Sequence, residues 1–119
     1  MSDSHLTFDS VVDLCQNQHR RIVLGILAAE QRSVTLTDLT QAVLKYSHQI
    51  PHTEASEDAL AKIRNSFHHH HLPKLTSEGL VTYEPDRGLV AATEQFEKVQ
   101  PTVSAILDAD PELDAPIEL

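Results

Sequence analysis

HHHHLPKLTSEGLVTYEPDRG, residues 68–88, decides how this chain folds. It opens as the end of a helix, and Gly79 stands where that helix must stop. Glycine enters the left-handed region without the penalty a Cβ brings. Leu80-Val81-Thr82-Tyr83 follows as a strand. Pro85-Asp86-Arg87-Gly88 is a turn: the proline sets φ at its position, and the glycine permits a positive φ. Leu89-Val90-Ala91 returns as the partner strand. A helix followed by a hairpin is the order in which a winged helix-turn-helix ends, with a recognition helix over about 57–78 and a wing over about 80–91. The four histidines sit mid-chain inside an apolar pattern, so they belong to the fold and are not a purification tag.

Upstream of this stretch, Ser56-Glu57-Asp58 is a helix start: a cap followed by two acids at the positive end of the dipole. Leu60, Ile63, Phe67, His71 and Leu75 recur every three or four residues and give the helix one apolar face. Pro73 interrupts it, because a proline inside a helix removes a backbone donor and kinks the chain. Thr7 is read as the cap of a first helix carrying Phe8, Val11, Val12 and Cys15. A break near Asn17 separates it from a second helix with Ile22, Val23, Ile26 and Leu27, which ends near Gln31. Val34-Thr35-Leu36 reads as a short strand for the wing's sheet, since two strands alone are not stable. Thr37 is read as the cap of a helix with Leu39, Ala42, Val43 and Tyr46, which stops at Ile50-Pro51 because the residue before proline avoids helical angles. Residues 51–55 form a loop. Downstream, Thr93 caps a last helix with Phe96, Val99, Val103, Ile106 and Leu107 on one stripe, bent or split by Pro101.

The expected fold class is therefore mainly α with a small β-hairpin wing: a winged helix-turn-helix plus a C-terminal helix. Residues 1–6 are expected to be a flexible N-terminus and 7–92 the winged domain. Residues 93–108 form the C-terminal helix, a possible dimerisation element, and 109–119 an acidic flexible tail. With 119 residues the chain suits one domain with a modest core, built from Leu, Val, Ile and Ala because aromatics make up only 4%. A lone cysteine, no basic-then-apolar leader and no long apolar run fit a cytoplasmic protein that does not enter a membrane.

The net charge of −9 opposes binding to phosphates. Five of the acids, Asp108, Asp110, Glu112, Asp114 and Glu118, lie in residues 108–119 without a basic partner, which leaves −4 for residues 1–107. Lys62, Arg64, Lys74 and Arg87 all fall around the recognition segment. An acidic surplus is also how a protein stays hydrated in concentrated salt, and an acidic protein with no nucleic-acid partner remains open on charge alone.

HRRIVLGIL (19–27), VTLTDLTQAV (34–43) and HHHLPKLTSEGLVTYEPDRGLV (69–90) resemble a family of small haloarchaeal winged-helix proteins, mostly described as a domain of unknown function. Arg20, Arg21, His69, His71, Leu72, Pro73, Leu75, Gly79, Val81 and Tyr83 stand at matching positions, over about residues 8–91. The His-Leu-Pro-x-Leu step is the specific part. The resemblance implies a winged-helix fold and transcriptional regulation, without a known operator or ligand.

On the recognition helix, Lys62, Asn65, Ser66 and His69 fall opposite the apolar face at 100° per residue, flanked by His70 and Lys74. Lys suits phosphate or guanine, Asn suits adenine edges, and Ser and His suit either. Arg87 at the wing tip is placed for a phosphate or a minor groove; an ordinary charged turn residue reads the same. Arg20 and Arg21 either hold phosphate or pair with the chain's own acids. The function expected is a DNA-binding transcriptional regulator acting on double-stranded DNA as a homodimer, with two copies matching two half-sites.

Two alternatives stand beside it. One is a winged-helix module that binds protein and not DNA. The other is a metal-responsive regulator using His68 and His71, with His48 and His52 nearby. Zinc sites usually combine His with Cys or carboxylate at defined spacing, and four successive histidines spread around the helix, so no metal or other cofactor is expected. The run also invites a pH response. No Gly-rich phosphate loop or nucleophile elbow is present. Cys15 and His19, one turn apart, lie in the core-forming helices, and the protein is not expected to be an enzyme.

Overall fold

The computed structural model describes residues 7–48, 56–113, 117 and 119. The expected N-terminal arm, the stop at Ile50-Pro51 and the loop 51–55 lie outside them. Among the described residues the chain is mainly helical, with a small three-stranded antiparallel sheet. The helices are α1 (Phe8–Leu14), α2 (Gln18–Glu30), α3 (Leu36–Val43), α4 (Glu57–Ser66), α5 (Leu72–Ser77) and α6 (Glu94–Ala109). The strands are β1 (Val34–Thr35), β2 (Val81–Glu84) and β3 (Leu89–Ala92). No described helix is long and apolar enough to cross a membrane.

Short polar side chains start the helices as the sequence predicts. The hydroxyls of Thr7, Ser56 and Thr93 accept from Ser10, Ala59 and Phe96 N–H groups, and the Asn17 side chain accepts from His19 and Arg20. Gln31 closes α2 with φ 55°, and its N–H donates to Leu27. One cap differs from expectation: Thr35, not Thr37, caps α3, its hydroxyl accepting from Asp38 N–H. The strand is therefore only Val34–Thr35, and Leu36 already belongs to the helix.

β3 is the central strand. It pairs with β2 from Val81↔Ala92 to Glu84↔Leu89, and with β1 through Val34↔Val90 and Thr35↔Leu89. The third strand that the hairpin needs is thus in place. Gly79 stops α5 at φ 81°, with Gly79 N–H on Thr76 C=O and Leu80 N–H on Leu75 C=O. That 6→1 bond satisfies a carbonyl the ended helix would otherwise leave open. Gly88 takes φ 62° in the turn.

The helix expected over 57–78 is continuous in direction but not in winding. Between α4 and α5, Phe67–His71 form a π-helical turn, with Leu72 N–H donating to Phe67 C=O five residues back. Pro73 supplies the physical reason. In an α-helix its ring would press on the carbonyl of His69, four residues earlier, and that carbonyl would lose its donor. The wider turn relieves both. Leu72, just past the wider turn, is buried although the 100° wheel does not put it inward. Leu60, expected on the same face, is only half-buried, and Ile63, Phe67, His71 and Leu75 are buried.

The core gathers Ile22, Val23, Ile26 and Leu27 of α2 with Leu39, Phe67, Leu75, Val90 and Phe96. Phe8 departs from expectation: it is exposed at 69%, and Leu14 takes the buried place on α1 instead. Pro101 does not split α6, which runs unbroken from Glu94 to Ala109. The described part of the expected acidic tail packs on α2. Asp110 pairs with Arg21 at 2.9 Å, Glu112 accepts from Gln18 at 3.0 Å, and Leu113 is buried. Gly25 permits this approach: a Cβ there would meet Leu107 Cδ1 at 3.2 Å and Ile117 Cβ at 3.3 Å.

Candidate nucleic-acid interface

α4 and its π-turn carry most of the residues singled out in the sequence. Ser56 and the first-turn acids Glu57 and Asp58 fix where the helix begins, and Ile63, Phe67 and Leu75 fix which side faces the core. Lys62, Asn65, His69 and His70 are then exposed, and Ser66 is half-buried. Lys74 is exposed one turn further on, but its ammonium pairs with Asp13 at 3.0 Å. Neither Lys62 nor Arg64 forms an ion pair with a described residue. The helical wheel sets Arg64 near the apolar face. It is nevertheless exposed, because α4 presents only a narrow stripe to the core. The signal available for it was its charge.

The histidine run divides three ways. His68 lies edge-on to Tyr83 of β2, with ring centroids 6.0 Å apart, and so joins the helix to the hairpin. His69 and His70 face solvent. His71 turns inward, packed edge-on against Phe67 at 5.8 Å and His19 at 5.7 Å. Its Nδ1 lies 3.4 Å from Arg20 Nη1. Burial, with His19, Arg20 and His70 close by, lowers the His71 pKa to about 4, so the ring is neutral near pH 7. A neutral ring can accept the guanidinium's hydrogen at Nδ1. Among the described residues, no three His, Cys, Asp or Glu side chains gather where one metal ion could be held.

Arg20 and Arg21 are committed within the fold. Arg20 Nε donates to Leu14 C=O at 2.7 Å, and its Nη2 reaches Asp13 C=O at 3.4 Å. Both are end carbonyls of α1, and Asp13 C=O also accepts from Gln16 N–H at 3.2 Å. Arg21 donates to Cys15 C=O and pairs with Asp110, whose side chain is only 8% exposed. Of the two roles the sequence left open for Arg21, pairing with the chain's own acids is the one present. Arg87 sits at the tip of the β2–β3 turn, exposed, 3.4 Å from Glu84. Cys15 is buried, and burial raises its thiol pKa despite Arg21 and Arg20 nearby.

The arrangement offers one exposed helical face bearing a cation, an amide, a hydroxyl and two imidazoles, beside a hairpin tipped with an arginine. A family model described as "Domain of unknown function (DUF7344)" matches residues 12–91. The match takes in the last three residues of α1, the whole histidine stretch and the sheet as far as Ala91, and leaves α6 outside. No curated protein and no solved structure matches the chain.

Proposed function

The chain belongs to the DUF7344 family, and from that premise we propose that it is a DNA-binding transcriptional regulator of the winged helix-turn-helix kind. α3 and α4 form the helix pair, the continuous segment α4–α5 is the recognition element, and β2–β3 is the wing. The observation that carries the reading is the row Lys62, Asn65 and His69, turned to solvent with the half-buried Ser66 beside them, on the helix that follows α3 and precedes the hairpin. A helix laid in the major groove presents such a row to base edges, with lysine and arginine on the phosphates. His70 and Arg64 flank the row. Lys74 reaches phosphate by exchanging Asp13 for it, and Arg87 by exchanging Glu84. Arg20 and Arg21 act at one remove, by holding α1 and the C-terminal segment against α2. Two copies joined through their terminal helices would set two such rows on half-sites about one helical turn apart.

Fluorescence anisotropy of a labelled duplex tests this. Affinity is expected to fall as salt rises, because each cation on a phosphate releases a counterion. Lys62→Ala with His69→Ala is expected to weaken binding about tenfold or more while the circular dichroism spectrum is unchanged. Affinity unaltered by the pair of substitutions refutes the assignment of this face.

A second reading, a protein-binding winged helix, draws on the hairpin tip. Arg87 there is paired with Glu84 and adjoins Asp86, so the tip carries more acid than base. Failure of the protein to enrich any genomic fragment in a pull-down, together with no binding to duplex at low salt, would favour it.

A further inference from the structure

The face of the sheet's central strand away from the hairpin turn holds an unfilled place. Leu36 N–H donates to Gly88 C=O, on the β1 side of β3, and Thr93 N–H donates to Leu80 C=O, on the β2 side. In an antiparallel ladder the direction alternates along the strand. Gly88, Val90 and Ala92 therefore turn their backbone groups toward β1. β1 begins at Val34, opposite Val90, and the ladder stops there. Ala92 N–H and C=O thus face outward where residue 32 would stand, had β1 been two residues longer.

What lies there is a cleft of about 660 Å³, within the range of small-molecule sites. Leu27 and Phe96 lie beneath it, almost wholly covered, and Ala91 and Ala92 border it. Its polar lining is of two signs. Arg32 and Ser33 stand on the α2–β1 turn; Glu97 and Gln100 stand on α6. Arg32 is tethered by Glu30 at 3.1 Å and by Ser33 C=O at 3.1 Å, and its other guanidinium N–H groups donate to no described residue.

A backbone donor and acceptor side by side, a cation, an anion and the small apolar side chains of Ala91 and Ala92 match one kind of molecule. We infer that this cleft binds a free α-amino acid with an aliphatic side chain, seated as the missing rung of the β1–β3 ladder. Its carboxylate takes Ala92 N–H and Arg32, its ammonium takes Ala92 C=O and Glu97, and its side chain lies along Ala91, above the covered Leu27 and Phe96. β3 carries this site at one end and the hairpin turn at the other. The inference does not depend on DNA contact.

The test is a ¹⁵N–¹H NMR titration of the full chain with L-leucine. Two truncated ligands serve as controls: leucinamide, which lacks the carboxylate, and 4-methylvalerate, which lacks the ammonium. Saturable shifts at Ser33, Ala92 and Gln100 are expected for leucine, weakened about tenfold or more for either control. Arg32→Gln and Glu97→Gln are both on exposed side chains and preserve the spectrum's dispersion. Each is expected to weaken leucine by a similar factor. No saturable shift up to about 10 mM leucine overturns the inference. So do equal affinities for the truncated ligands, or affinity unmoved by both substitutions.

Discussion

His71 makes the stability of this protein depend on pH in a way that can be calculated. Its folded-state pKa is about 4, while an unfolded histidine titrates near 6.5. Between those values the unfolded chain binds more protons than the folded one, so stability rises with pH. The contribution is fully present above the unfolded value and is lost as pH falls toward 4. Between about pH 7.5 and pH 5 the loss comes to about 2 kcal/mol, and it reaches about 3 kcal/mol at the folded pKa. His71→Gln removes the titration and keeps an acceptor for Arg20. Urea unfolding of both proteins at the two pH values gives a double difference in which the other carboxylates and histidines cancel. The natural chain is expected to lose about 2 kcal/mol more than the variant. Equal losses refute the reasoning. Should the variant fold poorly, an NMR titration of the His71 ring decides the matter directly. A midpoint below pH 5 is expected, and one above pH 6 means that the ring is neither desolvated nor crowded by Arg20 as described.

Three other outcomes follow from the same structure. Gly79→Ala is expected to cost about 1–2 kcal/mol in denaturant unfolding, wholly from backbone strain at φ 81°, because a Cβ there meets nothing within 4 Å. Gly25→Val is expected to lower stability by about 1–3 kcal/mol and to raise protease cutting within residues 110–119, because the added carbons collide with Leu107 and Ile117; protection unchanged from the natural chain would show that the segment does not rest there. Cys15 is expected to resist iodoacetamide in the folded protein and to react at the rate of a free thiol in urea, and rapid labelling under native conditions would contradict its burial and raised pKa.

Much of the architecture was legible because it rests on signals within a few residues of one another. Thr7, Asn17, Ser56 and Thr93 mark helix starts, Gly79 and Gly88 mark positive φ, and the alternation around Val81 and Val90 marks strands. A cap or a turn is a local competition between hydrogen bonds, so it can be read one segment at a time. The near miss at Thr37 has the same origin. Thr35 and Thr37 offer the same hydroxyl, and only the pairing of Val34 and Thr35 with β3 decided which one stood at the strand's end.

The candidate interface was legible to the same depth. Lys62, Asn65 and His69 face solvent because Ile63, Phe67 and Leu75 face the core, and a helical wheel contains both facts. What charge a surface residue keeps for a partner was not on the wheel. Arg20, Arg21, Lys74 and Arg87 look alike in the sequence, and three of them meet acids while Arg20 meets carbonyls and a histidine.

The sequence by itself determined the order of helices and strands, the stops, and the side of each helix that is apolar. Only the tertiary structure decided where the four histidines go, what the arginines hold, and that the C-terminal segment lies on α2. The reason is physical. Secondary structure follows from backbone bonds and side-chain periods, which repeat along the chain. The fate of a cation or an imidazole depends on what another segment brings within about 4 Å of it, such as Asp110 beside Arg21, 89 residues away. In the run HHHHLP, Pro73 forced a π-turn, and the extra residue in that turn sent His71 to Arg20 and His68 to Tyr83. The letters show four equal histidines, and the packing makes them unlike.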